Sequence, residues 1–150
     1  MLLRTHFVVG LCAVLLFIEH VNNPLALVLI TLIATIIPDI DSGFSTIGKH
    51  KIFKILQFFT KHRGVIHSFS FCIVISILFS FFLPWVAFPF FLGYSIHLFL
   101  DSFTKEGIYP FWPYARKAQW KVKTGGAIDD TLFVGFIVLD VMLLVLLLGF

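Results

Sequence analysis

The sequence predicts an all-α fold, a polytopic membrane helical bundle of about five transmembrane helices with an interfacial helix and a cytoplasmic N-terminus. Three observations carry this. Hydrophobic residues make up 59% of the 150 and mean hydropathy is +1.03, which leaves too little polar surface for a soluble globule. The apolar residues gather into runs near the length of a bilayer crossing, roughly 17–25 residues. One topology places all eleven Lys and Arg on the same side. The length suits a single domain over 1–150.

The first run, residues 3–21, opens with Arg4, Thr5 and His6. It looks like a signal peptide but lacks a small-x-small cleavage site, and is read as a retained helix. Val21-Asn22-Asn23-Pro24 is a turn by its Asn and Pro content. The second run, 24–38, is short; proline disfavours helix in the residue before it, so the chain is expected to unwind at Ile37-Pro38. Residues 42–64 are polar and basic. Within 49–60, Ile52, Ile55, Leu56 and Phe59 have the spacing of one helix face, the pattern of a helix lying in the cytoplasmic interface, with an ordinary connecting loop as the alternative.

The third run is 65–83, Pro84 opens a turn, and the fourth run is 85–103 with Pro89 near its start. Residues 104–130 are again polar and basic, and 131–149 form the fifth run. Tyr109-Pro110-Phe111-Trp112-Pro113-Tyr114, followed by Trp120, suits a rigid aromatic hairpin at headgroup depth or the wall of a substrate cleft. Cys12 and Cys72 lie inside apolar runs and read as buried thiols, not as a disulfide or a metal knuckle.

With the N-terminus in the cytoplasm, the 42–64 and 104–130 loops share that side with Arg4, and the opposite turns hold no Lys or Arg. The expected location is therefore the cell (inner) membrane, multi-pass. The basic residues adjoin membrane segments, so membrane lipids with anionic headgroups are the expected partners and no nucleic acid is expected.

The chain has eight carboxylates and six histidines, and this topology brings all but Glu19, His20 and Asp140 to the cytoplasmic face. That face is rich in His and Asp where a solvated rim is ordinarily rich in Glu, Ser, Asn and Gln. His97 and Asp101 are four apart on an expected helix, so they share a face and can hold one ion; alone they read equally as a pair satisfying itself at a helix end. Gly93, just before them, permits close helix approach. Asp39 and Asp41 point apart on a regular helix, but unwinding at Pro38 lets both face a site, or lets one orient a ligating histidine; capping by Asp41 is the bland reading. His62 precedes Arg63-Gly64, and His67, one turn into the third segment, needs a partner at that depth. His6 heads the first run and Asp129-Asp130 the last. Nitrogen and carboxylate donors without thiolate suit Zn²⁺, with Mn²⁺ or Fe²⁺ as alternatives, and more than four donors permit two ions. Asp140, midway along the fifth run, is left outside the site.

These motifs, His6, Pro38-Asp39-Ile40-Asp41, His62-Arg63-Gly64-Val65-Ile66-His67-Ser68, Gly93-Tyr94 to His97 and Asp101, and Trp112-Pro113, resemble the YdjM-like, LexA-binding inner-membrane metal-dependent hydrolases. The resemblance runs from residue 5 to about residue 130. Lys61 stands where that family usually has Gly, and Ile66 where it usually has Thr. The family is in turn distantly similar to zinc-dependent phospholipase C and single-strand-specific nucleases, where an Asp like Asp101 bridges metals; a further His-x-x-x-Glu pair of those enzymes has no obvious counterpart here, which favours two ions over three.

The expectation is a membrane-embedded, metal-dependent phosphoric ester hydrolase, a phospholipase C-like phosphodiesterase, acting on a lipid or lipid-linked phosphoester through metal-activated water. His67, His97, Asp101 and Asp41 are the expected primary ligands, and His6, Asp39, His62 and Asp129 or Asp130 secondary ligands or orienters. Asp39 is the expected proton acceptor, with Arg63 or Lys61 holding the substrate phosphate. The competing classes are a metal ion or proton transporter, which Asp140 motivates, and a non-enzymatic membrane partner protein.

Overall fold

A computed structural model describes residues 1–41, 65–114 and 116–149, without the side chains of Ile40 and Asp41. The expected interfacial helix in 49–60, Lys61, His62, Arg63 and the Asp41 carboxylate lie outside the described residues.

Among the described residues the chain is helical: α1 (Leu3–Phe17), a 3-10 turn at Ile18–His20, α2 (Pro24–Ala34), a second 3-10 turn at Ile37–Asp41, α3 (Phe69–Phe82), α4 (Pro84–Ser102) and α5 (Ala127–Leu147). The ends follow local chemistry. Asn23 caps α2, its Oδ1 accepting from Ala26 N–H at 3.1 Å, and Pro24 fills the first turn where no N–H is needed. Ser68 Oγ caps α3 by accepting from Phe71 N–H at 3.2 Å. Pro84 starts α4, and Asp129 and Asp130 stand in the first turn of α5, where the helix dipole favours negative charge.

Two of these elements differ from the sequence reading. α2 stops at Ala34 rather than at Pro38, because the chain tightens into 3-10 geometry before the proline. His67 is not within a helix: it precedes the Ser68 cap of α3. Among the described residues, two helical stretches are long and apolar enough to cross a membrane, Leu3–His20 at a mean hydropathy of 1.5 and Ala127–Leu147 at 2.4. At 11 and 14 residues, α2 and α3 are shorter than a bilayer crossing.

α4 packs against α1, α2 and α3, and α5 packs along α1. Gly93 sets the α2–α4 contact: a Cβ there would lie 2.1 Å from the Thr31 carbonyl oxygen. At the same crossing Thr31 Oγ1 donates to the Pro89 carbonyl at 3.2 Å, a second tie between α2 and α4. The interior mixes polar with apolar side chains, and the exterior is rich in apolar ones. His6, His67, His97, Thr5, Thr31 and Thr35 are buried, while Phe81, Phe82, Leu25, Val138 and Leu146 are exposed. Water rewards the reverse arrangement; a hydrocarbon solvent does not.

The 103–122 segment folds back on itself. Ile108 and Ala118 exchange both backbone hydrogen bonds at 2.9 Å, and Thr104 bridges to Val122. The aromatic residues expected to form a hairpin lie at its tip, with a cis peptide at Trp112-Pro113. Its Pro110 carbonyl accepts from Phe69 N–H at 2.8 Å and Ser70 N–H at 3.3 Å, which ties the loop to the start of α3. Cys12 and Cys72 are buried free thiols.

Candidate metal centre

The start of α1, the turn after α2, the residue before the Ser68 cap of α3 and the last turns of α4 meet at one end of the bundle. They bring His6, Asp39, His67, His97 and Asp101 together. Two groups of ligand atoms each lie within 4.8 Å of one another: His6, His97 and Asp101, and Asp39, His67 and His97.

His97 is the shared member, and its orientation is set by backbone. Its Nδ1 lies 2.7 Å from the Thr35 carbonyl oxygen, which can only accept, so the ring proton is on Nδ1 and the Nε2 lone pair faces the cluster. That Nε2 is 3.3 Å from His67 Nε2 and 3.8 Å from both Asp39 Oδ1 and Asp101 Oδ2. His6 stacks on His97 with ring centroids 4.0 Å apart, and its Nε2 is 3.2 Å from Asp101 Oδ1. Asp101 therefore spans the cluster: Oδ1 faces His6 and the Met1 ammonium, and Oδ2 faces His67 at 3.4 Å.

The shell around these groups is specific. Tyr94 Oη donates to the Ile66 carbonyl at 2.6 Å, fixing the backbone that carries His67. Thr104 N–H and Oγ1 both donate to the Asp101 carbonyl, at 3.0 and 2.7 Å, and close the end of α4. Replacing Tyr94 by phenylalanine keeps the packed ring and removes only the hydroxyl; if the cluster holds a metal, its affinity is expected to fall about tenfold, measured by competition with a chelator, while secondary structure is unchanged.

Asp39 is the most exposed member, 19% by side chain against 3% or less for the others. It lies past the end of α2, in the second 3-10 turn. It is the member that opens toward water.

The donor set fits a divalent cation. Three imidazoles and two carboxylates meet without a described Lys or Arg among them, and the one described cation beside them is the Met1 ammonium on Asp101. Two imidazole Nε2 atoms face each other across 3.3 Å, and His6 Nδ1 is buried without a hydrogen-bond partner among the described residues.

Asp129 and Asp130, expected as secondary ligands or orienters, stand apart from the cluster. Asp129 Oδ1 accepts from Thr5 Oγ1 at 2.6 Å, and its Oδ2 accepts from Leu2 N–H at 3.0 Å and Gly125 N–H at 2.8 Å. Its acceptor sites hold the chain that carries His6, so it orients rather than ligates. Asp130 pairs with Arg4 at the half-exposed surface. Asp129→Ala leaves three donors without their acceptor and is expected to cost about 3 kcal/mol in detergent unfolding, with Asp129→Asn recovering part of it. Asp140 is buried in α5 against Cys12 of α1, away from the cluster, in line with the sequence reading.

Sequence reasoning missed Thr35 and the role of Tyr94. Thr35 acts through its main-chain oxygen, which leaves no trace in residue type. Tyr94 was legible as the neighbour of Gly93 but its hydroxyl has a partner 28 residues away.

A chain that is helical among its described residues, with apolar side chains exposed and a buried His/Asp cluster at one end of the bundle, has the character of a membrane protein with a candidate metal centre. The whole chain, residues 1–150, matches the family described as YdjM inner membrane protein, and it belongs to that family. No curated protein and no solved structure matches it.

Proposed function

We propose that this inner-membrane protein is a metal-dependent hydrolase, a phosphoesterase acting on a lipid or lipid-linked phosphoester at the cytoplasmic headgroup layer. The observation that carries the reading is the buried convergence of His6, Asp39, His67, His97 and Asp101. Buried polar groups in a membrane protein are costly and mark function.

Because Thr35 holds His97 Nδ1, His97 offers a single nitrogen, and both ligand groups draw on it. The described donors thus complete one ion; a second needs Asp101 to bridge and further donors such as Asp41 or His62. Zn²⁺ suits the set best, with Mn²⁺ or Fe²⁺ as alternatives. When bound, such an ion polarises a phosphoryl oxygen and lowers the pKa of water enough to make a nucleophile near neutral pH. Asp39, the most exposed carboxylate of the cluster, is the proton acceptor. Arg63 and Lys61, close in sequence to His67, hold the phosphate.

The same reading takes all five helices as membrane segments, with the cluster end in the cytoplasm because every Lys and Arg then lies on that side. α2 reaches further when its 3-10 extension to Asp39 is included. A transporter draws on Asp140, which is separated from the cluster, and is the weaker reading.

The test is elemental analysis of the purified protein coupled to a panel of phosphodiesters and phospholipids. About one or two equivalents of zinc, and phosphoester turnover lost on chelation and restored by the ion, are expected. Metal-free protein with unaltered turnover sinks the proposal.

A further inference from the structure

An open recess of about 700 Å³ is lined by Ser70, Phe111, Trp112, Tyr114 and Arg116. Its place in the fold is informative. Ser70 is three residues beyond His67, and the Pro110 carbonyl joins the loop to the Phe69 and Ser70 amides, so the recess opens beside the element that delivers His67 to the cluster.

An aromatic belt anchoring a helix in the interface explains exposed rings, but such rings need not enclose a volume. Here the walls are almost wholly apolar with a cation at the edge. Phe111, Trp112 and Tyr114 are 60%, 46% and 76% exposed. Arg116 makes no ion pair with a described residue. The 104–126 segment holds Lys105, Arg116, Lys117, Lys121 and Lys123 against Glu106 alone. A partner that satisfies these features is amphipathic, with an anionic head and an apolar body, and reaches the site from the bilayer. The recess volume lies within the range of small-molecule sites, roughly 300–1,000 Å³.

We propose that Ser70, Trp112 and Arg116 form a headgroup subsite for an anionic glycerophospholipid, with the Arg116 guanidinium on the phosphate and the aromatic rings against the glycerol and first acyl carbons. Its relevance to substrate delivery rests on the hydrolase reading; lipid binding itself does not, and is measured without turnover.

The experiment uses the full chain carrying His97→Ala, so that hydrolysis cannot consume the ligand, in phosphatidylcholine nanodiscs. Quenching of tryptophan fluorescence by dibrominated phosphatidylglycerol is compared with quenching by dibrominated phosphatidylcholine. Salt of about 0.5 M screens the diffuse attraction of the basic loop, since the Debye length falls from about 10 Å at 0.1 M to about 3 Å at 1 M. Under these conditions Arg116→Gln is expected to lower the preference for the anionic lipid about tenfold, as loss of a charge-assisted contact does. Arg116→Lys is expected to recover it only in part because the planar fork is lost. Lys121→Gln, on the same loop but outside the recess, is expected to change it less than about twofold. Trp112→Phe is expected to remove most of the lipid-specific quenching.

The proposal is overturned if Arg116→Gln leaves the preference intact, or if Lys121→Gln lowers it equally, which makes the attraction a property of the loop's net charge. It is also overturned if free inorganic phosphate competes as well as the lipid, or if a protein partner covers the recess and excludes it. Retained lipid binding with no turnover in the unsubstituted protein leaves this subsite standing and sinks the hydrolase reading alone.

Discussion

If the cluster is the metal centre of the proposed hydrolase, replacing His97 with alanine is expected to empty it of metal and to abolish phosphoester hydrolysis. His97 belongs to both groups of ligand atoms, so its loss breaks each of them at once. Its Nε2 also lies 3.3 Å from His67 Nε2, and its ring stacks on that of His6. Removing an outer-shell partner of a metal ligand costs roughly 10–100-fold in affinity or activity; removing the shared ligand is expected to exceed the top of that range. The cavity adds a stability cost of about 2–3 kcal/mol, so metal content is measured on monodisperse protein at a temperature well below the unfolding midpoint. His97→Gln, which keeps volume and a polar tip, separates ligation from packing: stability recovers and metal content does not. Full metal occupancy in folded His97→Ala protein contradicts the assignment.

Gly93→Ala is expected to be the most damaging single methyl in the bundle. The added Cβ meets the Thr31 carbonyl at 2.1 Å and Ala34 Cβ at 3.0 Å. Backbone oxygen cannot rotate away as a side chain does, so α2 and α4 must move apart. Overpacking of this kind costs about 3 kcal/mol. The displacement reaches the centre because α2 carries Thr35, which orients His97, and leads into Asp39. Unfolding temperature and metal affinity are therefore expected to fall together. Gly135→Ala supplies the comparison: its Cβ meets nothing within 4 Å, and its effect is expected to stay within about 1 kcal/mol. Equal effects from the two substitutions remove the close α2–α4 approach as the cause.

Much of the architecture was legible because it follows from local composition. The five apolar runs correspond to α1 through α5, and Asn23, Pro24 and Pro84 mark boundaries where expected. The errors have local causes too. The chain leaves α-geometry four residues before Pro38, and His67 lies ahead of a serine cap that intervenes before the helix. Within the site, the four-residue spacing of His97 and Asp101 identified a shared face without tertiary information. His6 was less visible: a lone histidine near a chain start has no spacing to speak for it, yet it stacks on His97. Asp129 and Asp130 carried the right residue type at the right end of the bundle. Their hydrogen bonds to Thr5, Leu2, Gly125 and Arg4 give them orienting roles, and no spacing rule distinguishes an orienting carboxylate from a ligating one.

By itself the amino-acid sequence determined a helical chain of apolar runs, the places along it where charges gather, and the residue types available for chemistry. Those properties depend on hydrophobicity and charge along the chain, which are local and additive. Only the tertiary structure decided which five side chains meet, that His97 has one nitrogen to offer, and that Asp129 is a strut. Each of those depends on contacts between segments 30 to 130 residues apart, at distances where an ångström separates a ligand from a neighbour.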